Sequence, residues 1–305
     1  EEIFWNIEVP MIHVLADMEK EGISIDSSYL NNLDKVFESE LDKLKSGIFE
    51  KSGEEFNLNS PKQLGEILFD KLKLVSKPKK TKTGQYSTSE EVLSSLANEH
   101  QIIRSILEWR SLDKLQNTYV RSLPNEVSSR TGRIHTKFNQ TVTTTGRLSS
   151  NNPNLQNIPI RTENGQKIRE AFIPKNQDFE LLAADYSQIE LRVIASISKD
   201  KNMIDAFVKN QDIHTITASK IYNVDPENVS REQRGNAKTV NFGIIYGVSA
   251  FGLSQQTNLS RSESKIMIDN YFENYPGLKD YMSSQIDFAR NNGYVETTMG
   301  RRRYL

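Results

Sequence analysis

Residues 234–247, RGNAKTVNFGIIYG, carry a pattern that repeats every four positions. In a helix such positions share one slowly turning face, because four residues exceed one turn by about 40°. The positions are Arg234, Lys238, Phe242 and Tyr246. Two cations one turn apart suit a polyphosphate, and a ring one turn further can lie against a sugar or a base. The alternative interpretation is a solvated basic turn that leads into a buried aromatic stripe.

A carboxylate follows a short apolar run in the middle of the chain. Residues 179–184 predict a buried strand, and helical spacing resumes after Asp185, with Glu190 five residues further on. A carboxylate at the carboxyl end of a strand is a hard oxygen ligand for Mg²⁺ when phosphates supply the other oxygens. The alternative is a helix cap, since the side chain of an aspartate accepts hydrogen bonds from the following amides.

Three further segments have a composition that suits nucleic acid. Residues 143–159, TTTGRLSSNNPNLQNIP, combine short hydrogen-bond donors with one arginine, as contacts to sugars and minor-groove edges require. Residues 71–82 contain six lysines and no acid, and predict a basic loop or hairpin. Residues 301–303 are three consecutive arginines. Each segment also fits an ordinary solvated surface, so composition alone leaves both interpretations open.

Composition limits the class of protein. The chain has 305 residues, is 36% hydrophobic and carries a net charge of −1, which fits roughly two domain-sized units. It has no cysteine, and this excludes disulfides and thiolate metal sites. No apolar run approaches the roughly 18 residues of a membrane span, and the first residues lack a signal-peptide pattern. We therefore expect a soluble protein with no membrane partner.

Helical periodicity dominates both ends of the chain. Residues 6–50 predict two helices with an extended link at 23–25, and residues 102–115 predict another. Ser60-Pro61 and residues 88–91 predict helix starts. Turn-forming residues concentrate at 128–159, with strand-like pieces such as 133–136. Helices resume from about residue 200, with breaks at 225–226, 259–260 and 275–277.

Taken in order, three of these segments resemble the polymerase region of family A DNA polymerases. They are residues 145–159, residues 185–192 (DYSQIELR), and residues 234–247. The resemblance implies an α+β, multidomain fold: a partial right-hand polymerase with a helical thumb at 27–120, an incomplete antiparallel-sheet palm at 1–26 and 121–200, and helical fingers at 201–305. It also implies a monomer in the bacterial cytoplasm, at the nucleoid.

The resemblance implies template-directed DNA synthesis, in which a deoxynucleoside triphosphate donates a deoxynucleotide to a primer 3′ hydroxyl during replication and repair. Asp185 would bind both catalytic Mg²⁺ ions, the Tyr186 carbonyl would be a further ligand, and Lys238 would protonate the pyrophosphate. Glu190 would be a steric gate below the sugar. The side chains lining the nucleotide would be Gln188, Glu190, His214, Arg234, Lys238 and Phe242, with Tyr246 at the templating position. Those on primer-template DNA would be Arg147, Gln156, Asn157, Arg301 and Arg302.

The sequence departs from the family pattern at one point. The second catalytic aspartate of the family lies in a His-Asp-Glu segment, and His-Asp occurs nowhere in this sequence. An alternative expectation is therefore a chain that binds primer-template or nucleotide without turnover. A hand-like RNA polymerase is another alternative, which Glu190 disfavours because its carboxylate would collide with a 2′ hydroxyl.

Overall fold

Helices form most of the chain, in the segments where apolar residues recur at helical spacing. The computed structural model describes residues 1–257 and 259–305 and divides into two units, residues 1–182 and 183–305. Each unit buries its own cluster of apolar side chains. Within the described residues, no helix is both long and apolar enough to cross a membrane.

The first unit is mainly a set of helices around one core, in which α2 and α5 pack against each other. Its helices are α1 (Val9–Glu21), α2 (Ser27–Ser52), α3 (Pro61–Gly65), α4 (Glu90–Leu96), α5 (Gln101–Leu115) and α6 (Glu163–Glu170). π-Helical turns at Phe4–Glu8, Glu66–Lys71 and Gln116–Val120 and a 3-10 turn at Leu123–Glu126 extend them. Leu30 and Phe37 of α2 and Ile103 and Ile106 of α5 are fully buried, as their helical spacing predicts.

The predicted helix boundaries of this unit are confirmed. Ser60 caps α3 by accepting a hydrogen bond from the Gln63 amide at 3.3 Å, and Ser89 caps α4 in the same way. The first helix ends at Gly22, whose φ of +64° is costly for residues with a Cβ. A Cβ there would also strike the Ile134 carbonyl oxygen.

Short antiparallel strand pairs complete the first unit. β1 (Ser24–Ile25) pairs with β4 (Phe172–Ile173), and β2 (Lys137–Asn139) pairs with β3 (Ser149–Asn151). The strand predicted at 133–136 begins later, because Ile134 forms only isolated bridges to Ile23 and Val127. The basic segment at 71–82 is a loop with one bridge between Lys80 and Tyr86, as predicted.

The second unit is helical up to a C-terminal hairpin of β5 (Tyr294–Glu296) and β6 (Arg302–Tyr304). Its helices are α7 (Ile189–Ser198), α8 (Lys201–Val208), α9 (Ile213–Tyr222), α10 (Arg231–Ile245), α11 (Ala250–Ser254), α12 (Arg261–Asn274) and α13 (Pro276–Asn292). The three predicted breaks are confirmed: a 3-10 turn lies at Pro226–Asn228, Ser260 caps α12, and Pro276 opens α13.

The buried strand predicted at residues 179–184 is wrong. The segment has no regular structure, and Leu182 is 94% exposed. A strand needs a hydrogen-bonded neighbour, and none of the strands in the described residues pairs with this segment. The apolar run therefore lies at the surface.

Asp200 is expected to be one of the most important polar residues for the stability of the second unit. Its buried carboxylate accepts hydrogen bonds from the Met203 amide at the start of α8 (3.0 Å) and from the Gly277 amide at the start of α13 (2.9 Å). One side chain thus caps two helices. Asp200→Ala should lower the free energy of unfolding by about 2 kcal/mol, because each lost cap costs about 1 kcal/mol.

Urea unfolding followed by circular dichroism measures this change. Asp26→Ala is the matched control, since Asp26 caps only α2 through the Tyr29 amide. It should lose about half as much stability, about 1 kcal/mol. Equal losses in the two variants would contradict a double cap at Asp200.

Candidate functional site

The segment from Arg234 that is predicted to be helical through about Tyr246 lies in α10, which ends at Ile245. The two faces of α10 have different surroundings. A capping box starts it: Ser230 accepts from the Gln233 amide, and the Gln233 side chain accepts from the Ser230 amide. The apolar face lies in the core of the second unit, whereas Arg234 and Lys238 are exposed. Tyr246 is 64% exposed, so the face does not end in a buried aromatic stripe.

Arg234 is held by an aspartate that the sequence analysis did not identify. Its Nε lies 2.6 Å from Oδ2 of Asp212. Asp212 also caps α9 by accepting from the His214 amide (2.9 Å) and from the Thr215 hydroxyl (3.0 Å). Burial by itself raises the pKa of the Asp212 carboxyl, but these hydrogen bonds outweigh burial and leave the pKa below its usual value. The start of α9 therefore fixes the guanidinium of Arg234.

His214 lies beside Phe242 and is buried. The two ring centroids are 5.7 Å apart at an interplanar angle of 48°. Nδ1 of His214 is 3.0 Å from the side-chain amide nitrogen of Asn241, which is also buried. Two of the predicted nucleotide-lining side chains therefore touch each other, on two neighbouring helices.

Burial keeps the imidazole of His214 neutral. It lowers the pKa of His214 from 6.5 to about 4; the Asp212 carboxylate opposes this shift, and the positive charges of Arg234 and Lys238 support it. At neutral pH the ring is therefore a hydrogen-bonding group rather than a third cation.

The low pKa of His214 predicts a pH dependence of stability. The unfolded chain binds a proton at His214 below pH 6.5, whereas the folded chain resists that proton until about pH 4. Stability from this group is fully present above pH 6.5 and is lost as the pH falls toward 4. The wild type should lose about 2 kcal/mol more than His214→Gln between pH 7 and pH 5. Urea titrations at both pH values test this, and equal losses would show an ordinary histidine pKa in the folded state.

Glu190 and Tyr246 are joined by a hydrogen bond. Glu190 lies in the first turn of α7, and its Oε2 accepts from the Tyr246 hydroxyl at 2.5 Å. Hydrogen bonds to a carboxylate are short and strong, so this contact restrains both side chains. The structure thus brings together the predicted steric gate and the predicted templating-position residue, which are 56 residues apart in sequence.

Asp185 and Tyr186 lie in an exposed, irregular segment before α7. Asp185 does not cap the helix, because α7 begins only at Ile189 and its N-cap is Gln188, with a φ of +54° and no side-chain cap bond. The helix-cap alternative for Asp185 is therefore wrong. The Asp185 carboxylate and the Tyr186 carbonyl are hard oxygen donors that suit Mg²⁺. Among the described residues, however, no three His, Cys, Asp or Glu side chains form a metal-binding group.

The predicted minor-groove residues lie in the first unit. Arg147, Gln156 and Asn157 are exposed, on the loops that flank β3. The loop that carries Asn157 is anchored, because its carbonyl accepts from the buried Tyr119 hydroxyl at 2.7 Å. These residues are presented at the surface, as contact with an outside ligand requires.

Asn157 borders a groove of about 810 Å³ that the sequence analysis did not predict. Arg110 and Lys114, one turn apart on α5, line the same groove. Arg110 is fixed by a hydrogen bond to the Thr88 carbonyl at 2.6 Å. The only sequence signal was the spacing of two cations by four residues, which is common on solvated helices.

The three arginines at 301–303 lie on or next to the C-terminal hairpin. Arg302 pairs with Glu296 across the hairpin at 2.6 Å and stacks 4.5 Å from the centroid of the Tyr294 ring. The Arg301 amide donates to the Thr297 hydroxyl at 3.1 Å. Arg302 is thus on the hairpin strand β6 and already has an acidic partner, and Arg301 directly precedes this strand.

Comparison with known proteins agrees with the resemblance. The sequence model of DNA polymerase family A matches residues 27–305. DNA polymerase I of Geobacillus stearothermophilus is 50% identical over 299 residues, which cover 98% of this chain and 34% of that protein. DNA polymerase I of Bacillus subtilis (strain 168) is 48% identical over 304 residues, covering 100% of this chain and 34% of that protein. This chain therefore spans about a third of the length of these relatives.

A solved structure is also similar to this chain. It is the POL domain of Pol1 from M. smegmatis in complex with DNA primer-template and dNTP; the TM-score is 0.88 at 43% identity, covering 98% of this chain and 52% of that one. The fold is therefore that of part of a polymerase domain, mostly helical with small antiparallel sheets. Because the family model covers most of the sequence and the relatives are about half identical, this chain belongs to DNA polymerase family A.

Proposed function

We propose that this chain forms the part of a DNA-directed DNA polymerase that binds the incoming deoxynucleoside triphosphate and the primer-template. The observation that carries the proposal is the outer face of α10, where the exposed Arg234 and Lys238 precede Phe242 and Tyr246. The M. smegmatis neighbour, which binds primer-template and dNTP, supports the same assignment.

In the proposed site, α10 and the start of α9 bind the triphosphate. Arg234, oriented by Asp212, and Lys238 one turn later provide positive charge for the phosphates. His214 adds a neutral hydrogen-bond donor beside them. Lys238 would also donate a proton to the departing pyrophosphate.

The aromatic end of the same face would bind the nucleoside. Phe242 is half-buried against His214 and can lie against the sugar, while the exposed ring of Tyr246 can stack at the templating position. Glu190, held by the Tyr246 hydroxyl, would occupy the space below the sugar, with Gln188 at the start of the same helix. Binding of deoxyribose rather than ribose follows from this arrangement.

The proposed reaction is attack of the primer 3′ hydroxyl on the α-phosphate, with release of pyrophosphate. Asp185 and the Tyr186 carbonyl would hold Mg²⁺, which would supply charge stabilisation for the phosphoryl group that is transferred. The residues of this chain position the triphosphate and neutralise its charge. Asp185 is one carboxylate, so a complete two-metal site needs a further acidic ligand.

Two groups of residues are proposed to contact DNA. Arg147, Gln156 and Asn157 would touch minor-groove edges, where recognition is largely independent of sequence. Arg301 and Arg302 would contact the template strand. Residues 71–82 would add phosphate contacts that depend on ionic strength.

The finer assignments extend the proposal to the whole protein. We assign residues 27–120 to the thumb, 1–26 and 121–200 to the palm, and 201–305 to the fingers. We further propose a monomeric bacterial enzyme that acts at the cytoplasmic nucleoid in replication and repair.

Lys238→Ala is expected to weaken triphosphate binding by about tenfold, because it removes one exposed charge-assisted contact. The measurement is the fluorescence of a labelled deoxynucleoside triphosphate titrated with the 305-residue chain. Lys265→Ala is the control, since Lys265 is an exposed lysine on α12 of the same unit. The same loss in both variants would mean that only net charge matters, and would remove Lys238 from the site.

A second candidate function is binding without turnover. The observation that favours it is the single acidic ligand at Asp185, with no three-residue acidic group among the described residues. Fluorescence anisotropy with a primer-template should show binding that weakens with salt, with a log-log slope of about −0.9 per phosphate contact. A primer-extension assay with Mg²⁺ on the same preparation separates the two functions. Extension that Asp185→Ala abolishes would support turnover by this chain, and no DNA binding at low salt would contradict both functions.

A further inference from the structure

A chain of hydrogen bonds runs through the core of the second unit and ends at His214. The His214 ring contacts Asn241 (3.0 Å), Asn241 contacts Thr217 (3.2 Å), and Thr217 contacts the Tyr275 hydroxyl (2.9 Å). All four residues are buried. These hydrogen bonds link α9, α10 and the junction of α12 with α13. None of Asn241, Thr217 and Tyr275 has a role in the proposed site described so far.

The donors and acceptors in this series of hydrogen bonds have one consistent direction. If the Tyr275 hydroxyl donates to Thr217 and Thr217 donates to Oδ1 of Asn241, then Nδ2 of Asn241 faces His214 and donates to Nδ1. In the reverse direction the Tyr275 hydroxyl proton would have no acceptor among the described residues. Leaving a buried donor unpaired is costly, so the network selects the first direction.

This direction determines which nitrogen of His214 carries the proton. A ring nitrogen that accepts a hydrogen bond has no proton, so a neutral ring must be protonated at Nε2. Nε2 makes no hydrogen bond within the described residues. Some side-chain atoms of these residues are fully enclosed and lack a partner, but Nε2 of His214 is not one of them. Nε2 is therefore not completely enclosed, although His214 as a whole is only 3% exposed.

The charged groups around His214 are compatible with a neutral ring. Asp212 at the start of α9 attracts a proton, while Arg234 and Lys238 of α10 repel one. Burial is the main cause of the low pKa of His214, and the two cations add to its effect. At neutral pH the ring is therefore neutral and carries a single proton, on one of its two nitrogens.

We propose that Asn241 is a positioning residue that holds His214 in its Nε2-protonated form, so that Nε2–H is preset as a donor to an anionic ligand. The identity of that ligand as a nucleoside triphosphate rests on the proposed function. A donor whose proton is already in place needs no rearrangement when the anion arrives. Asn241 would thus act on the ligand only through His214.

The experiment reads the protonation of the ring directly. Two-bond ¹H–¹⁵N spectra of the 305-residue chain distinguish Nδ1-protonated, Nε2-protonated and cationic rings, and His214→Gln identifies the signal among the four histidines. The wild type should show an Nε2-protonated ring at pH 7. If the wild-type ring is instead protonated at Nδ1, this spectrum alone overturns the proposal, and no variant of Asn241 is needed.

Two variants test the part played by Asn241. Asn241→Asp offers His214 only acceptors, so the single proton of the neutral ring should move from Nε2 to Nδ1, and Asn241→Ala should give a mixture of the two neutral forms. Asn236→Asp is the matched control, since Asn236 lies on the same helix and donates to the Tyr222 hydroxyl at 3.2 Å. A ring that stays fully Nε2-protonated in Asn241→Asp or Asn241→Ala would overturn the proposal.

Titration with dATP separates this inference from the proposed function. In the wild type dATP should shift the Nε2 signal, and Asn241→Asp should bind dATP about tenfold more weakly while Asn236→Asp binds normally. A wild-type ring that is Nε2-protonated but unaffected by dATP would contradict the triphosphate site and still support the role of Asn241 in selecting the tautomer. Normal dATP affinity in an Asn241→Asp protein whose neutral ring carries its proton on Nδ1 would overturn the link to ligand binding.

Discussion

Replacing Glu190 with alanine is expected to increase the use of ribonucleotides relative to deoxynucleotides by about 100-fold, which corresponds to about 3 kcal/mol. In the proposed site the Glu190 carboxylate lies below the sugar, and the Tyr246 hydroxyl holds it there at 2.5 Å. A carboxylate in this space collides with a 2′ hydroxyl, so specificity comes from an unfavourable contact with the wrong substrate. Alanine removes that contact.

Single-nucleotide insertion kinetics with matched ribo and deoxy substrates measure this change, in a full-length polymerase that contains this region. Tyr246→Phe is the matched variant, because it removes the hydrogen bond and keeps the Glu190 carboxylate. It should change the ratio by less than tenfold, since a carboxylate without its restraint still occupies the space. An unchanged ratio in Glu190→Ala would show that this side chain does not face the sugar. A wild-type preference for ribonucleotides would favour the RNA polymerase alternative.

The helix α10 that carries the proposed site could be predicted from the sequence because the information is local. Spacing by four places Arg234, Lys238 and Phe242 on one face whatever the rest of the chain does. Helix boundaries were predictable for the same reason, since Ser60 and Ser89 cap helices through amides only three residues away.

The surroundings of Asp185 could not be predicted in this way. An apolar run at 179–184 fits a buried strand in composition, but a strand also requires a neighbour that local sequence does not identify. The structure provides none among its described residues, and the run lies at the surface. The family motif predicts a role for Asp185 nonetheless, because a motif match depends on residue order and not on burial.

The partners of Arg234 and His214 depend on how α9 approaches α10. Asp212 carried a weak signal, since an aspartate directly before a helical segment is a common N-cap. Asn241 carried another, since it is a polar residue beside Val240 on the face of α10 that otherwise presents apolar side chains to the core. Neither signal names a partner. Only the packing of the two helices shows that the aspartate orients a cation and the asparagine contacts an imidazole.

Phe242→Tyr is expected to increase the use of dideoxynucleotides relative to deoxynucleotides by about 30-fold, or about 2 kcal/mol. The Phe242 ring lies 5.7 Å from the His214 ring, between the cationic part of α10 and its exposed end. In the proposed site this is where the sugar meets the phosphates. A dideoxynucleotide lacks the 3′ hydroxyl that would contact its own triphosphate, and phenylalanine cannot replace that contact. A tyrosine hydroxyl supplies a hydrogen bond to a charged group, which is worth about 1.5–3 kcal/mol.

Primer-extension ladders with mixed dideoxy and deoxy substrates test this in the same full-length polymerase. Phe251→Tyr is the matched control, because it adds the same hydroxyl to an exposed ring on α11 and should leave termination unchanged. His214→Gln distinguishes the sugar contact from a general change in phosphate binding: it should weaken use of both substrates and leave their ratio nearly constant. Equal termination by the wild type and Phe242→Tyr would mean that Phe242 faces the core and not the sugar. The half-buried ring would then have only a packing role beside His214, and selection of the 3′ position would have to come from Glu190 or from another residue of the site.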